Sequence, residues 1–124
     1  MYITKLKSKI HRARVTEAEL DYIGSLTIDK DLMDITGLVK FEKVLVANLT
    51  NGNRFETYVI EGARQSRTFC LNGATAHLGS VGDLLTIFAF CDVTPEEEKE
   101  LIPQIVVLDD NNNVLELIGG QDGE

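Results

Sequence analysis

Apolar and polar residues alternate in short runs along most of the chain, the period of β-strands with one buried face. Residues 2–11 put Lys5, Lys7, Lys9 and His11 on one face and Leu6 and Ile10 on the other; a helix aligning Leu6, Ile10 and Ala13 is the competing reading. Residues 18–22 predict a strand with Ala18, Leu20 and Tyr22 on one side, running into Gly24-Ser25. The segment IDKDLMDITG predicts a short helix, with Asp29 as N-cap, an apolar face of Leu32, Met33 and Ile35, and Gly37 as its stop. Residues 38–49 and 54–60 predict a hairpin around Asn51-Gly52, which tolerates positive φ. Its second strand carries Arg54, Glu56, Tyr58 and Ile60 on one face and Phe55, Thr57 and Val59 on the other. Further strands are predicted at 68–71 and 84–91, a helix start at Thr94-Pro95-Glu96-Glu97, and a hairpin pairing 104–108 with 114–118. Six or more short strands and little helix predict a mainly β fold, a compact β-barrel of one domain over residues 1–118, with 119–124 as a frayed tail.

Composition narrows the classes. The 124 residues, 44% of them apolar, suffice for a real core without metal or disulfide support. No apolar run approaches the roughly 20 residues of a membrane span, and the start of the chain lacks the apolar stretch of a signal peptide. Cys70 and Cys91 do not have metal-ligand or redox spacing; two free thiols in strands fit a reducing cytoplasm. Ten of the 20 acidic residues and only one of the 12 basic ones fall in residues 92–124, so the net charge of −8 divides into −9 there and +1 before it. The acidic quarter reads as a solvated face. Residues 1–14 hold five bases and no acid, but lack the broad basic surface of a nucleic-acid binder; a few cations aimed at a small acidic ligand fit better.

Phosphate loops, zinc spacings and nucleophile elbows are missing, and the histidines, His11 and His77, suggest no metal site. Three blocks carry a resemblance instead: KIHRARVTEAELDYIGSLTID (9–29), TNGNRFETYVI (50–60) and LNGATAHLGSVGD (71–83). Their order and spacing resemble bacterial aspartate 1-decarboxylases, pyruvoyl-dependent lyases that make β-alanine for pantothenate. The resemblance implies a double-psi β-barrel, a cytoplasmic homotetramer with active sites between neighbours, and L-aspartate as substrate. It also implies a zymogen that cuts itself into chains 1–24 and 25–124.

The implied chemistry has a physical logic. Amino-acid decarboxylation needs an electron sink, which a carbonyl cofactor supplies through a Schiff base and no aliphatic side chain does. In the family, Ser25 Oγ attacks the Gly24 carbonyl and moves the acyl group from nitrogen to oxygen. Elimination from that ester and hydrolysis leave a covalent pyruvoyl group where Ser25 stood. A glycine at 24 suits the close approach that a Cβ would hinder; without the flanking blocks, Gly-Ser would be an ordinary turn.

The resemblance assigns Thr57 as hydrogen-bond donor to the Gly24 carbonyl during cleavage and Tyr58 as the acid that returns a proton to the substrate Cα. Lys9, His11 and Arg54 match pocket positions, the arginine fork suiting a carboxylate. Asn72, Gly73 and Ala74 match a substrate loop of small residues. Thr75 stands where an alanine is expected, which puts pocket size and a backbone contact there in question. Tyr22 borders the site.

Alternation puts Thr57 and Tyr58 on opposite faces of one strand, so two copies are expected to build each site. Lys9, Arg54 and Tyr58 of one protomer would face Ser25, Thr57 and Asn72–Ala74 of its neighbour. Two other readings stand beside this one. One is a non-catalytic barrel that keeps Ser25 intact. The other is a pyruvoyl enzyme for a different amino acid, its pocket altered at Thr75.

Overall fold

The computed structural model describes residues 1–119. Nine strands are β1 (Ile3–Arg14), β2 (Glu17–Glu19), β3 (Ser25–Asp29), β4 (Lys43–Asn48), β5 (Arg54–Gly62), β6 (Phe69–Asn72), β7 (Leu84–Val93), β8 (Gln104–Leu108) and β9 (Val114–Gly119). They form a single mixed sheet in the order β2-β6-β3-β5-β4-β7-β1-β8-β9, consistent with the expected small β-barrel. Antiparallel ladders dominate, and β3–β5, β1–β8 and β2–β6 are parallel. Inward-facing Ile10, Leu26, Ile28, Val44, Val46, Val59, Phe69, Leu71, Leu85 and Ile87 fill one core, closed by Leu32 and Met33 of helix α1 (Lys30–Thr36). Burying each of these larger side chains contributes about 1.5–3 kcal/mol.

Local sequence explains the elements that formed as expected. Asp29 Oδ1 accepts from the Asp31 amide at 2.8 Å to start α1, and Gly37 ends it in the left-handed conformation, φ 74°. Helix α2 (Pro95–Glu98) has the full capping box: Glu97 N–H donates to Thr94 Oγ1 at 3.1 Å and Thr94 N–H to Glu97 Oε1 at 2.8 Å. The hairpin β4–β5 turns at Asn51-Gly52, and three asparagine amides (Asn48, Asn51 and Asn53) donate to the Leu78 carbonyl.

Other boundaries moved. The strand expected at 38–49 begins at Lys43, because Leu38 N–H bonds back to Met33 and Phe41 takes φ 72°. The strand expected at 18–22 ends at Glu19, where Tyr22 N–H turns back to the Glu19 carbonyl. Gly119, expected in the tail, is the last paired residue of β9, opposite Gln104; residues 120–124 of that tail lie outside the described residues.

Strand β1 is a strand, not a helix, and runs between β7 and β8. Its register shifts at Lys7 and Arg12 break the regular alternation. Leu6 opposes Phe90 and Lys9 opposes Phe88, so Leu6 and Lys9 share the outer face. The expected single face of Lys5, Lys7, Lys9 and His11 therefore does not exist: Lys5 pairs with Glu98 at 3.1 Å and Lys7 with Glu42 at 2.8 Å. No helix among the described residues is long and apolar enough to cross a membrane.

Candidate functional site

Gly24 and Ser25 lie where an irregular segment enters the sheet between two strands. Ser25 opposes Asn72 of antiparallel β6, while on the other side Leu26 opposes Val59 of parallel β5. The β3–β5 pairing begins at Leu26 and Val59; Thr57 and Tyr58 come just before it on β5. Ser25 is 1% exposed, yet its Oγ has no hydrogen-bond partner, and its φ is 126°. A buried hydroxyl left unpaired costs about 1–3 kcal/mol, and so does a strained backbone. Both costs fall on the one residue that follows Gly24.

The short 3-10 turn Gly73–His77 closes over this point. Gly73 has φ 62°, and a Cβ there would lie 3.0 Å from Gly24 Cα and 3.1 Å from the Tyr22 carbonyl oxygen. The glycine that close approach requires is thus Gly73. A Cβ on Gly24 would meet nothing within 4 Å in the resting chain. Thr75 is 8% exposed, with Oγ1 at 2.7 Å from the Asn72 carbonyl oxygen and 3.4 Å from that of Ser25. Ala74 and His77 face outward.

Asn72, 1% exposed, has its amide fixed at both ends. Its Nδ2 donates to Thr27 Oγ1 at 2.8 Å, and its Oδ1 accepts from Cys70 Sγ at 3.1 Å. Sequence reasoning missed Thr27 and Cys70. The available signal was register: Cys70 and Asn72 are two residues apart on β6, and Thr27 opposes Cys70. Burial, with Glu17 and Glu19 nearby, raises the Cys70 thiol above the usual range, which keeps it a neutral donor.

A cleft of about 670 Å³ opens beside Gly24, lined among others by Tyr22, Lys40, Phe41, Tyr58 and Ile60. The Tyr58 ring meets Phe41 edge-on at 5.9 Å between centroids. Tyr58 and Gly24 therefore share a cleft of one chain, and the expected assignment of Tyr58 to the neighbour's site is not required. Thr57, half-buried, lies on the other face of β5, toward the core with Phe55 and Val59.

Lys9, His11 and Arg54 lie elsewhere. Arg54, Ala47, Thr86 and His11 form one row across β5, β4, β7 and β1, and Glu56, Leu45, Phe88 and Lys9 form the next. Three strand spacings put the ends of each row about 14 Å apart. Lys9 Nζ sits 5.5 Å from the centre of the Phe88 ring. Among the described residues, the ion pairs engage neither Lys9 nor Arg54. Burial, then Lys9 and Arg12, lowers the His11 pKa, and Thr86 Oγ1 lies 3.4 Å from its Nδ1. These three side chains and partly exposed Phe88 and Phe90 form an outer face that Tyr58, on the same side of β5 as Arg54 and Glu56, joins to the cleft.

The profile of the aspartate decarboxylase family matches residues 1–115 of the chain. The chain belongs to this family. It is 57% identical over 117 residues to an aspartate 1-decarboxylase of Caldicellulosiruptor saccharolyticus, covering 94% of this chain and 91% of the relative. It is 50% identical to one of Clostridium botulinum (94% and 92% covered) and 49% identical to one of Halalkalibacterium halodurans (96% and 94%). The aspartate decarboxylase match spans the first eight strands and the first two residues of β9, so it takes in both the cleft and the outer face.

Proposed function

We propose that the chain cuts itself between Gly24 and Ser25 and then, as a homotetramer carrying a pyruvoyl group derived from Ser25, decarboxylates L-aspartate to β-alanine and CO₂. The observation that carries the reading is the buried Ser25 hydroxyl with no partner, on a backbone at φ 126°. A hydroxyl without a hydrogen bond has none to break before it attacks the Gly24 carbonyl. Cleavage also releases the backbone strain at Ser25, worth about 1–3 kcal/mol. Thr57 is the donor to the Gly24 carbonyl oxygen as charge develops on it.

The pyruvoyl group, when present, supplies the electron sink that decarboxylation requires. Everything else falls to the chain. Asn72, held by Thr27 and Cys70, lines the loop side of the substrate, and Gly73 and Ala74 let backbone amides approach it. Tyr58, in the cleft beside Gly24, holds the proton returned to the substrate Cα. Lys9, His11 and Arg54 reach a cleft from a second copy, docked through the outer face of β5, β4, β7 and β1. The partly exposed Phe90 and Tyr58 on that face favour such burial. A firm grip on the departing carboxylate would stabilise the ground state and oppose catalysis. Arg54 therefore anchors the retained β-carboxylate, and the α-carboxylate is held more weakly.

Intact-mass measurement of purified protein, with assays of β-alanine and γ-aminobutyrate from aspartate and glutamate, tests this directly. Two chains divided after Gly24, the larger without a free amine, and β-alanine from aspartate are expected; Ser25→Ala abolishes both. A single chain that keeps its serine through long incubation and releases no CO₂ would overturn the reading.

A further inference from the structure

Self-cleavage places negative charge on two different oxygens in turn. During the acyl shift the charge appears on the Gly24 carbonyl oxygen. During the following elimination it appears elsewhere. Water takes the proton from Ser25 Cα, the C–H electron pair forms the Cα=Cβ double bond, and the Cβ–O bond breaks with its pair leaving on the Gly24 carboxylate. The carbon losing its proton is attached to the Ser25 carbonyl, so enolate-like charge spreads onto the Ser25 oxygen. On the reading above, Thr57 serves the first oxygen. A donor for the second has to come from another element.

Thr75 Oγ1 lies 3.4 Å from that oxygen and 2.7 Å from the Asn72 carbonyl oxygen, and Asn72 is the cross-strand neighbour of Ser25. The hydroxyl has a single proton, so at rest it donates to Asn72. At 3.4 Å its contact with the Ser25 oxygen is weak in the resting chain. It strengthens when charge on that oxygen draws the proton across. An interaction realised only as charge develops accelerates a step, whereas one present throughout does not. The site is also preorganised. Thr75 is buried, a β-branched side chain is stiff at χ1, and the 3-10 turn is closed by Leu78 N–H on the Thr75 carbonyl at 2.9 Å.

We propose that Thr75 is the charge-stabilising donor for the elimination step of self-cleavage, holding the enolate-like charge on the Ser25 carbonyl oxygen. The proposal rests on the reading of Ser25 above and gives Thr75 a role beyond setting pocket size.

Time courses of intact mass, with and without hydroxylamine, separate the two steps. Hydroxylamine cuts the ester and leaves a larger chain that begins with serine; completed elimination leaves one that begins with a pyruvoyl group. In Thr75→Val the acyl shift should proceed while elimination slows about 10- to 100-fold, as for a lost hydrogen bond to a charged group. The hydroxylamine-sensitive fraction then accumulates. Thr75→Ser, which keeps the hydroxyl, should stay within about threefold of the parent. If the valine variant does not fold, Thr75→Ala is held to the same expectation. A valine variant that forms the pyruvoyl chain at the parent rate would overturn the proposal, as would a serine variant that slows equally. So would a folded valine variant that stays uncut and insensitive to hydroxylamine. A parent chain that gives neither ester nor pyruvoyl product instead refutes the reading of Ser25, and the role of Thr75 falls with it.

Discussion

Gly73→Ala measures how tightly the 3-10 turn holds the cleavage point. An alanine at φ 62° costs about 1 kcal/mol against glycine. Its Cβ would lie 3.0 Å from Gly24 Cα, 3.1 Å from the Tyr22 oxygen and 3.3 Å from the Gly24 nitrogen. These are backbone atoms, so no rotamer relieves the overlap, and residues 22–24 must move outward by about 0.4 Å to restore normal contact. Strain of this kind adds about 1 kcal/mol, for a total near 2 kcal/mol. For a domain of this size that lowers the melting temperature by about 8 °C. Because a misplacement of 1 Å costs about 100-fold in rate, a 0.4 Å shift should slow cleavage by about sixfold. Stability is read by thermal denaturation in a Ser25→Ala background, so that cutting does not confuse the comparison, and cleavage is read by intact mass in the parent background. Gly37→Ala is the control. Gly37 also has positive φ, 74°, but a Cβ there meets nothing within 4 Å, so it should lose only about 4 °C and cleave normally. The reasoning is refuted if both variants melt alike, or if Gly73→Ala cleaves at the parent rate.

Two further predictions concern the frame around the site. Asp29 is fully buried and accepts from the amides of Asp31, Gln65 and Arg67 at 2.8, 3.2 and 2.7 Å; Asp29→Ala strands three donors and should cost about 3 kcal/mol, and a fall in melting temperature below 2 °C would refute this. His11 resists protonation in the folded chain, so as pH falls below its ordinary value of 6.5 the unfolded chain binds more protons and stability drops. Melting curves from pH 7.5 to 5 should show that loss and its reduction in His11→Gln, and parallel curves would count against it.

What the sequence disclosed followed from how local each cause was. The cap of α1, the turn at Asn51-Gly52 and the capping box of α2 are set by residues within four positions of one another, and each formed as expected. The faces of β1 were misread because a bulge depends on the partner strand, and nothing in ITKLKSK marks Lys7 as the extra residue. The site residues rest on the family resemblance, and their places relative to one another were not legible in the sequence. Tyr58 was expected on the neighbour's side of the site, but it lines a cleft with Gly24 within one chain. Likewise, the Thr27–Asn72–Cys70 chain and the approach of Thr75 to Ser25 join segments about 50 residues apart through the β3–β6 register, which no local pattern encodes.

The position of β1 has a consequence for the lifetime of the molecule. Ten of its residues pair with β7 and four with β8, in the interior of the sheet. A cut after Gly24 severs the covalent link but leaves the small chain clamped between two neighbours. Before the cut, each chain refolds as one piece; afterwards, recovery requires two separate polypeptides to meet. On the proposed cut, folding must therefore come first, and a cut molecule once denatured becomes a dilute mixture whose reassembly depends on concentration.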